Sequence, residues 1–208
     1  MITSKSLFHT NFVAVFKEEG FAVPDNSQFN SLYQGKDAEG ARFIDDPVAR
    51  TKMLTLPAVN LRIILEGTRL RLEDESGNEP NKSRLAADAA NVCNKLFPNR
   101  QVLGFGFNMD LYFRFNKVLE IKNYFDYFFK EEVLKKYDLR DFGFQFTLDR
   151  SSKEIVDIWF LKITSPLELA VHTNRHFNLV QLPDHQNLQK LLETCYNEAD
   201  FVVESLKF

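Results

Sequence analysis

The chain has 208 residues, 44% hydrophobic and 26% charged, with a net charge of −3. That balance allows a core and supplies no global basic field to draw the chain onto nucleic acid or an anionic membrane. No apolar run reaches the roughly 18 residues that a bilayer-spanning helix needs. His9, Thr10 and Asn11 interrupt the start of the chain where a secretory signal needs a continuous apolar stretch. Neither a membrane contact nor export is therefore expected. Cys93 and Cys195 are the only cysteines and lack CxxC spacing, which fits free thiols in a reducing, cytoplasmic setting. The length suits one core, and no Pro-, Ser- or Gly-rich linker divides it, so residues 1–208 are expected to form a single domain.

In chain order, Phe12 to Phe16 is a short apolar run, broken by Glu18-Glu19-Gly20 and Val23-Pro24-Asp25-Asn26, and Tyr33 to Arg42 is polar. Residues 1–55 therefore read as an irregular N-terminal segment holding one strand or short helix, before a sheet-and-helix core over 56–208. Val59, Leu61, Ile63 and Leu65 alternate with polar residues, turn at Glu66-Gly67, and continue in Leu70 and Leu72 as a hairpin. Ser83 can cap a helix bearing Leu85, Ala89, Val92 and Leu96 on one side. Alternation then runs through Leu103, Phe105, Phe107, Met109, Leu111, Phe113 and Phe115. Gly104 and Gly106 lie on the opposite side, which signals close approach of another backbone or a ligand.

The later part of 118–137 reads as a helix, and Phe142 to Leu148 as a strand. Ile155 to Thr164 is apolar on both sides, as in a central strand covered on both faces. A further hairpin is expected from Leu167 to Val180 around Thr173-Asn174-Arg175. Pro183-Asp184 opens a long C-terminal helix with Leu188, Leu191, Leu192, Cys195, Ala199 and Val202 on one side. This order predicts an α+β fold: a mostly antiparallel or mixed sheet, with about three amphipathic helices packed on it and the longest at the C-terminus.

Asp110, Glu120 and Lys122 form the sharpest chemical candidate. If Asn116-Lys117 is a hairpin turn, 111–115 and 118–122 pair, and Glu120 and Lys122 share a side. Two carboxylates then hold Mg²⁺ or Mn²⁺ while the lysine orients a water or stabilises a phosphate. The arrangement resembles the D…ExK core of the PD-(D/E)XK nuclease families, which implies metal-dependent phosphodiester hydrolysis with Asp110, Glu120 and Lys122 as its catalytic set. The same stretch also reads as continuous helix, in which Glu120 and Lys122 point about 200° apart and form no site.

Arg62, Arg69, Arg71 and Arg114 lie on polar sides of strands beside Asn108 and Tyr112, a possible ligand-binding patch for phosphate or carboxylate. The alternative is a solvated face with these arginines paired to Glu66, Glu73 and Asp110. An RNA-binding sheet needs exposed aromatics, and Tyr112 is the one that the pattern places there. His172 and His176 would face each other across the predicted hairpin, but no Cys or third His lies near them, so no metal site is assigned. His9 is isolated in the sequence. Cys93 and Cys195 fall on apolar helix sides as core residues.

With no convincing catalytic set and 21 phenylalanines, the leading expectation is a non-catalytic protein-binding or assembly subunit without a cofactor. It would recognise a protein partner or its own copy through aromatic surface and the long helix. Nucleic acid is not the expected partner. The alternatives are the nuclease-like enzyme, with Mg²⁺ or Mn²⁺, and a small-ligand or nucleotide-binding domain using the Gly104/Gly106 face and the arginines.

Overall fold

The computed structural model describes residues 1–98, 100–119, 132, 142–149 and 154–206. Its strands are β1 (Ile2–Phe16), β2 (Arg42–Asp46), β3 (Thr51–Leu56), β4 (Leu61–Glu66), β5 (Arg69–Asp74), β6 (Val102–Phe115), β7 (Phe142–Asp149), β8 (Ile155–Ser165) and β9 (Glu168–Phe177). Among the described residues the helices are α1 (Asn26–Asn30), α2 (Leu85–Leu96) and α3 (His185–Glu204). The nine strands make one sheet in the order β2-β3-β4-β5-β1-β6-β9-β8-β7. Every neighbouring pair is antiparallel.

This overturns the fold expected from sequence, a mostly antiparallel or mixed sheet with about three helices packed on it: the sheet is far larger, with nine strands, and among the described residues none of its pairings is parallel. The difference comes from residues 1–55, which are not an irregular segment. They hold all of β1 and β2 and most of β3, and the 15-residue β1 lies in the middle of the sheet between β5 and β6. Its signal is hidden because a bulge between Leu7 and His9 breaks the period of 2, while Ser4, Ser6 and Asn11 fill one side with polar groups.

One face of the sheet is covered. Phe12, Ile63, Leu72, Phe107, Met109 and Phe113 are each at most 1% exposed, under α2 and α3. As expected, α2 buries Leu85, Ala89, Val92 and Leu96, and the Leu85 amide donates to Ser83 Oγ at 3.1 Å. Asp184 caps the 20-residue α3 by accepting from the Asn187 amide at 2.9 Å. Leu188, Leu192, Cys195, Ala199 and Val203 are its buried stripe. Desolvation pushes the thiols of Cys93 and Cys195 up to about 12, so both remain protonated packing groups at neutral pH. The covered face also buries an ion pair: Arg175 of β9 grips Asp157 of β8 through Nε and Nη2, and reaches the partly exposed Glu198 of α3.

Two local expectations change with the register. Thr173-Asn174-Arg175 is not a turn; β9 runs unbroken and pairs with β6 and β8 along its length. His172 and His176 therefore stand four residues apart on one strand and do not face each other. β8 is one strand from the sheet edge, covered on one face only, and its Phe160 is 43% exposed. At Gly106 an added Cβ would collide with the Arg175 carbonyl, and at Gly104 with the His176 ring. The close approach inferred from these glycines is made by β9. The helix expected within 118–137 lies outside the described residues from 120 to 131 and from 133 onward.

Candidate functional site

Alternation sends every second side chain of these strands to the face opposite α2 and α3, where no described helix lies. The open face divides in two. On β4 and β5, charge is met by charge: Arg62 Nη1 lies 3.0 Å from Glu73, Arg62 Nη2 lies 2.9 Å from Glu75, and Arg71 Nε lies 3.2 Å from Glu73. Arg69 and Arg71 each stand 3.9 Å from Glu66. Arg62, Arg69 and Arg71 are thus brought together as the sequence suggested, with carboxylates between them. Asn108 donates to Asn11 Oδ1 at 2.7 Å in the middle of the sheet. Arg114 is not part of the group; it lies opposite Ser4 and Glu168, six residues and roughly 20 Å along β6 from Asn108.

The other half, over β1, β6, β9 and β8, is aromatic and histidine-rich. Register sets His9, Asp110 and His172 side by side on three adjacent strands. His172 Nδ1 is 2.7 Å from Asp110 Oδ1, and His9 Nδ1 is 3.3 Å from Oδ2. An ionised carboxylate only accepts, so both Nδ1 atoms act as donors and each Nε2 is left for other partners. The two imidazoles hold the Asp110 carboxyl well below the usual carboxylate range. Its hydrogen bond to His9 raises the His9 pKa against the opposing effect of burial.

Three large rings surround this cluster: Phe8, Tyr112 and Phe160, at 60%, 39% and 43% exposure. Phe8 is the extra residue of the β1 bulge, unpaired between Leu7 and His9. The bulge sends both Phe8 and His9 toward the open face, where Phe8 meets Tyr112 with ring centroids 4.8 Å apart. With Lys162, Ala170 and His172, the rings line a depression of about 610 Å³ that has Asp110 in its wall.

Asp110 of the nuclease-like set is therefore engaged by His9 and His172. Glu120 and Lys122 lie outside the described residues, and Val118 and Leu119, which are described, belong to no strand. Among the described residues no group of three or more His, Cys, Asp or Glu is arranged to hold a metal ion. His9, Phe8 and Phe160 are the residues that sequence reasoning missed. Phe160 had a usable signal, since it shares a strand side with Lys162; His9 had none, because its partners lie 101 residues away or across a further strand.

No helix among the described residues is long and apolar enough to cross a membrane. No protein-family model matches the chain, and no curated protein matches it.

Proposed function

We propose that the chain is a non-catalytic binding protein that docks a protein partner on the aromatic-histidine half of its open sheet face. The observation that carries this reading is the cluster of Phe8, Tyr112 and Phe160 standing exposed around Asp110. Large rings clustered at a surface are the usual anchors of protein interfaces, where their burial supplies most of the affinity. A polyanion partner fits less well: the arginines of the neighbouring half lie against Glu66, Glu73 and Glu75, so few cations remain to displace counterions. A metal-dependent nuclease would need the Asp110 oxygens, and each already accepts from an imidazole. The free, buried Cys93 and Cys195 suit a reducing cytoplasmic location.

Site-specific photo-crosslinking tests the docking. A photoreactive benzoylphenylalanine in place of Phe160 should capture one discrete protein in the protein's own cells, and the same group in place of Arg69 should capture none. A captured second copy of the chain would make the partner itself. Failure at Phe160, or equal capture at both positions, would overturn the reading.

A further inference from the structure

The nine-stranded sheet does not close, so it ends in two edges, β2 and β7. An edge strand turns every second N–H and C=O away from its one neighbour, and proteins usually guard such a row with short length, charge, proline or a bulge. β2 carries those guards. It has five residues, includes Arg42, Asp45 and Asp46, and runs into Pro47. β7 has eight residues, no charge or proline from Gly143 to Leu148, and an unshifted register with β8 from end to end. Among the described residues β8 is the one strand that pairs with it.

The strand also matches itself. Turned antiparallel about Gln145, it sets Gln145 opposite Gln145, Phe144 opposite Phe146, and Gly143 opposite Thr147 of a second copy, and opposite residues share a face. Of the registers that keep like faces together, this one pairs the longest uncharged stretch, residues 142–148. The half-buried Phe144 and Phe146 rings stack with centroids 5.9 Å apart, and Phe146 stacks on Trp159 of β8 at 6.3 Å. Across the axis that ladder would gain the rings of the second copy, on the side of the sheet that holds Trp159. On the open side the two Gln145 amides would meet, each able to donate to and accept from the other. Gly143 leaves room for the branched Thr147.

We propose that β7 pairs with β7 of a second copy about a two-fold axis at Gln145, normal to the sheet, so that two sheets become one. Gln145 stands opposite Phe160 of β8, so Phe160, Gln145 and the Gln145 and Phe160 of the second copy fall in one row. The two Phe160 backbones are three strand spacings apart, roughly 14 Å. The aromatic halves of both copies then lie side by side on one continuous open face, where a partner with two matching elements is held by both. The edge pairing itself does not depend on what docks there.

Sedimentation equilibrium on the full chain tests the pairing. The wild type should associate as a dimer. Gln145→Lys sets like charges opposite each other and should weaken association about five-fold, with a folded circular-dichroism spectrum because Gln145 is exposed. Gln145→Glu should do the same, and an equimolar mixture of the two variants should restore the dimer through a Lys-Glu pair. Ile44→Lys, at an exposed position of the β2 edge, should leave the dimer intact. A monomeric wild type, a dimer indifferent to Gln145→Lys, equal weakening by Ile44→Lys, or no rescue in the mixture would overturn the proposal. Capture of a different protein at Phe160 by a monomeric chain would sink the edge pairing and leave docking intact. A second copy captured at Phe160 and lost with Gln145→Lys would support the edge pairing and leave the docking reading without its evidence.

Discussion

The two faces of the sheet are made by the same strands with alternate residues, yet they solve opposite problems. On β6, Phe105, Phe107, Met109, Leu111 and Phe113 are buried under the helix layer, while Asn108, Asp110, Tyr112 and Arg114 point the other way and keep contact with water. The covered face buries even ions, in the Arg175–Asp157 pair, with Glu198 at its rim. The open face leaves aromatic rings in solvent. Burial on one face stabilises the fold; exposure on the other is a cost that stability does not explain, which is why function is sought there.

If that division is right, substitutions on the two faces should separate into losses of stability and losses of binding. The largest effect is expected from Asp157→Ala, which leaves the 4% exposed Arg175 without its bidentate partner. Chemical denaturation should show a loss of about 3–5 kcal/mol. Replacing Arg175 and Asp157 together by Met and Leu should recover much of it, because no lone charge then stays buried. Gly106→Val should follow at about 1–3 kcal/mol, since its side chain runs into the β9 backbone. A smaller loss would mean that β6 and β9 can separate locally.

Asp110→Asn should change stability less, and mainly through pH. The wild-type Asp110 pKa is lowered, so its contribution is present above the ordinary carboxylate value and is lost as pH falls through the depressed one. The His9 pKa is raised, so its contribution is full below the ordinary histidine value and is lost as pH rises through the raised one. The stability difference between wild type and Asp110→Asn should therefore be greatest at about pH 4 to 6.5 and shrink on either side. A difference constant with pH would break the assignment of the cluster. Least affected should be Phe8→Ser, expected to alter stability by no more than about 0.5 kcal/mol while reducing capture by the photoreactive group at position 160. A loss of several kcal/mol would mean that this ring serves packing.

The elements with an unbroken local period were legible. The alternation of β6 from Phe105 onward, the hairpin of β4 and β5, and most of the α2 and α3 stripes appear where the residue pattern places them, whereas Leu103 is exposed and Val203 rather than Val202 closes the α3 stripe. β1 was hidden by its own bulge, and β9 by Thr173-Asn174-Arg175. There Asn174 points to the open face while Arg175 turns inward to a buried acid, so a polar triplet imitates a turn. Arg62, Arg69 and Arg71 come together because β4 and β5 are joined by a tight hairpin, while Arg114, grouped with them in the sequence, lies far along β6. No comparable local rule links His9, Asp110 and His172, which lie 101 and 62 residues apart in the chain.

By itself, the sequence determined the alternation of β4, β5 and most of β6, the buried sides of α2 and α3, and where α3 begins. Those properties depend on neighbours within a turn or a strand. Only the tertiary structure decided that the N-terminal segment is the middle of the sheet, and that one carboxylate meets two imidazoles beside exposed rings. Strand order and register between distant segments are set by the packing of the whole sheet, and a one-residue slip would send each of those groups to the other face.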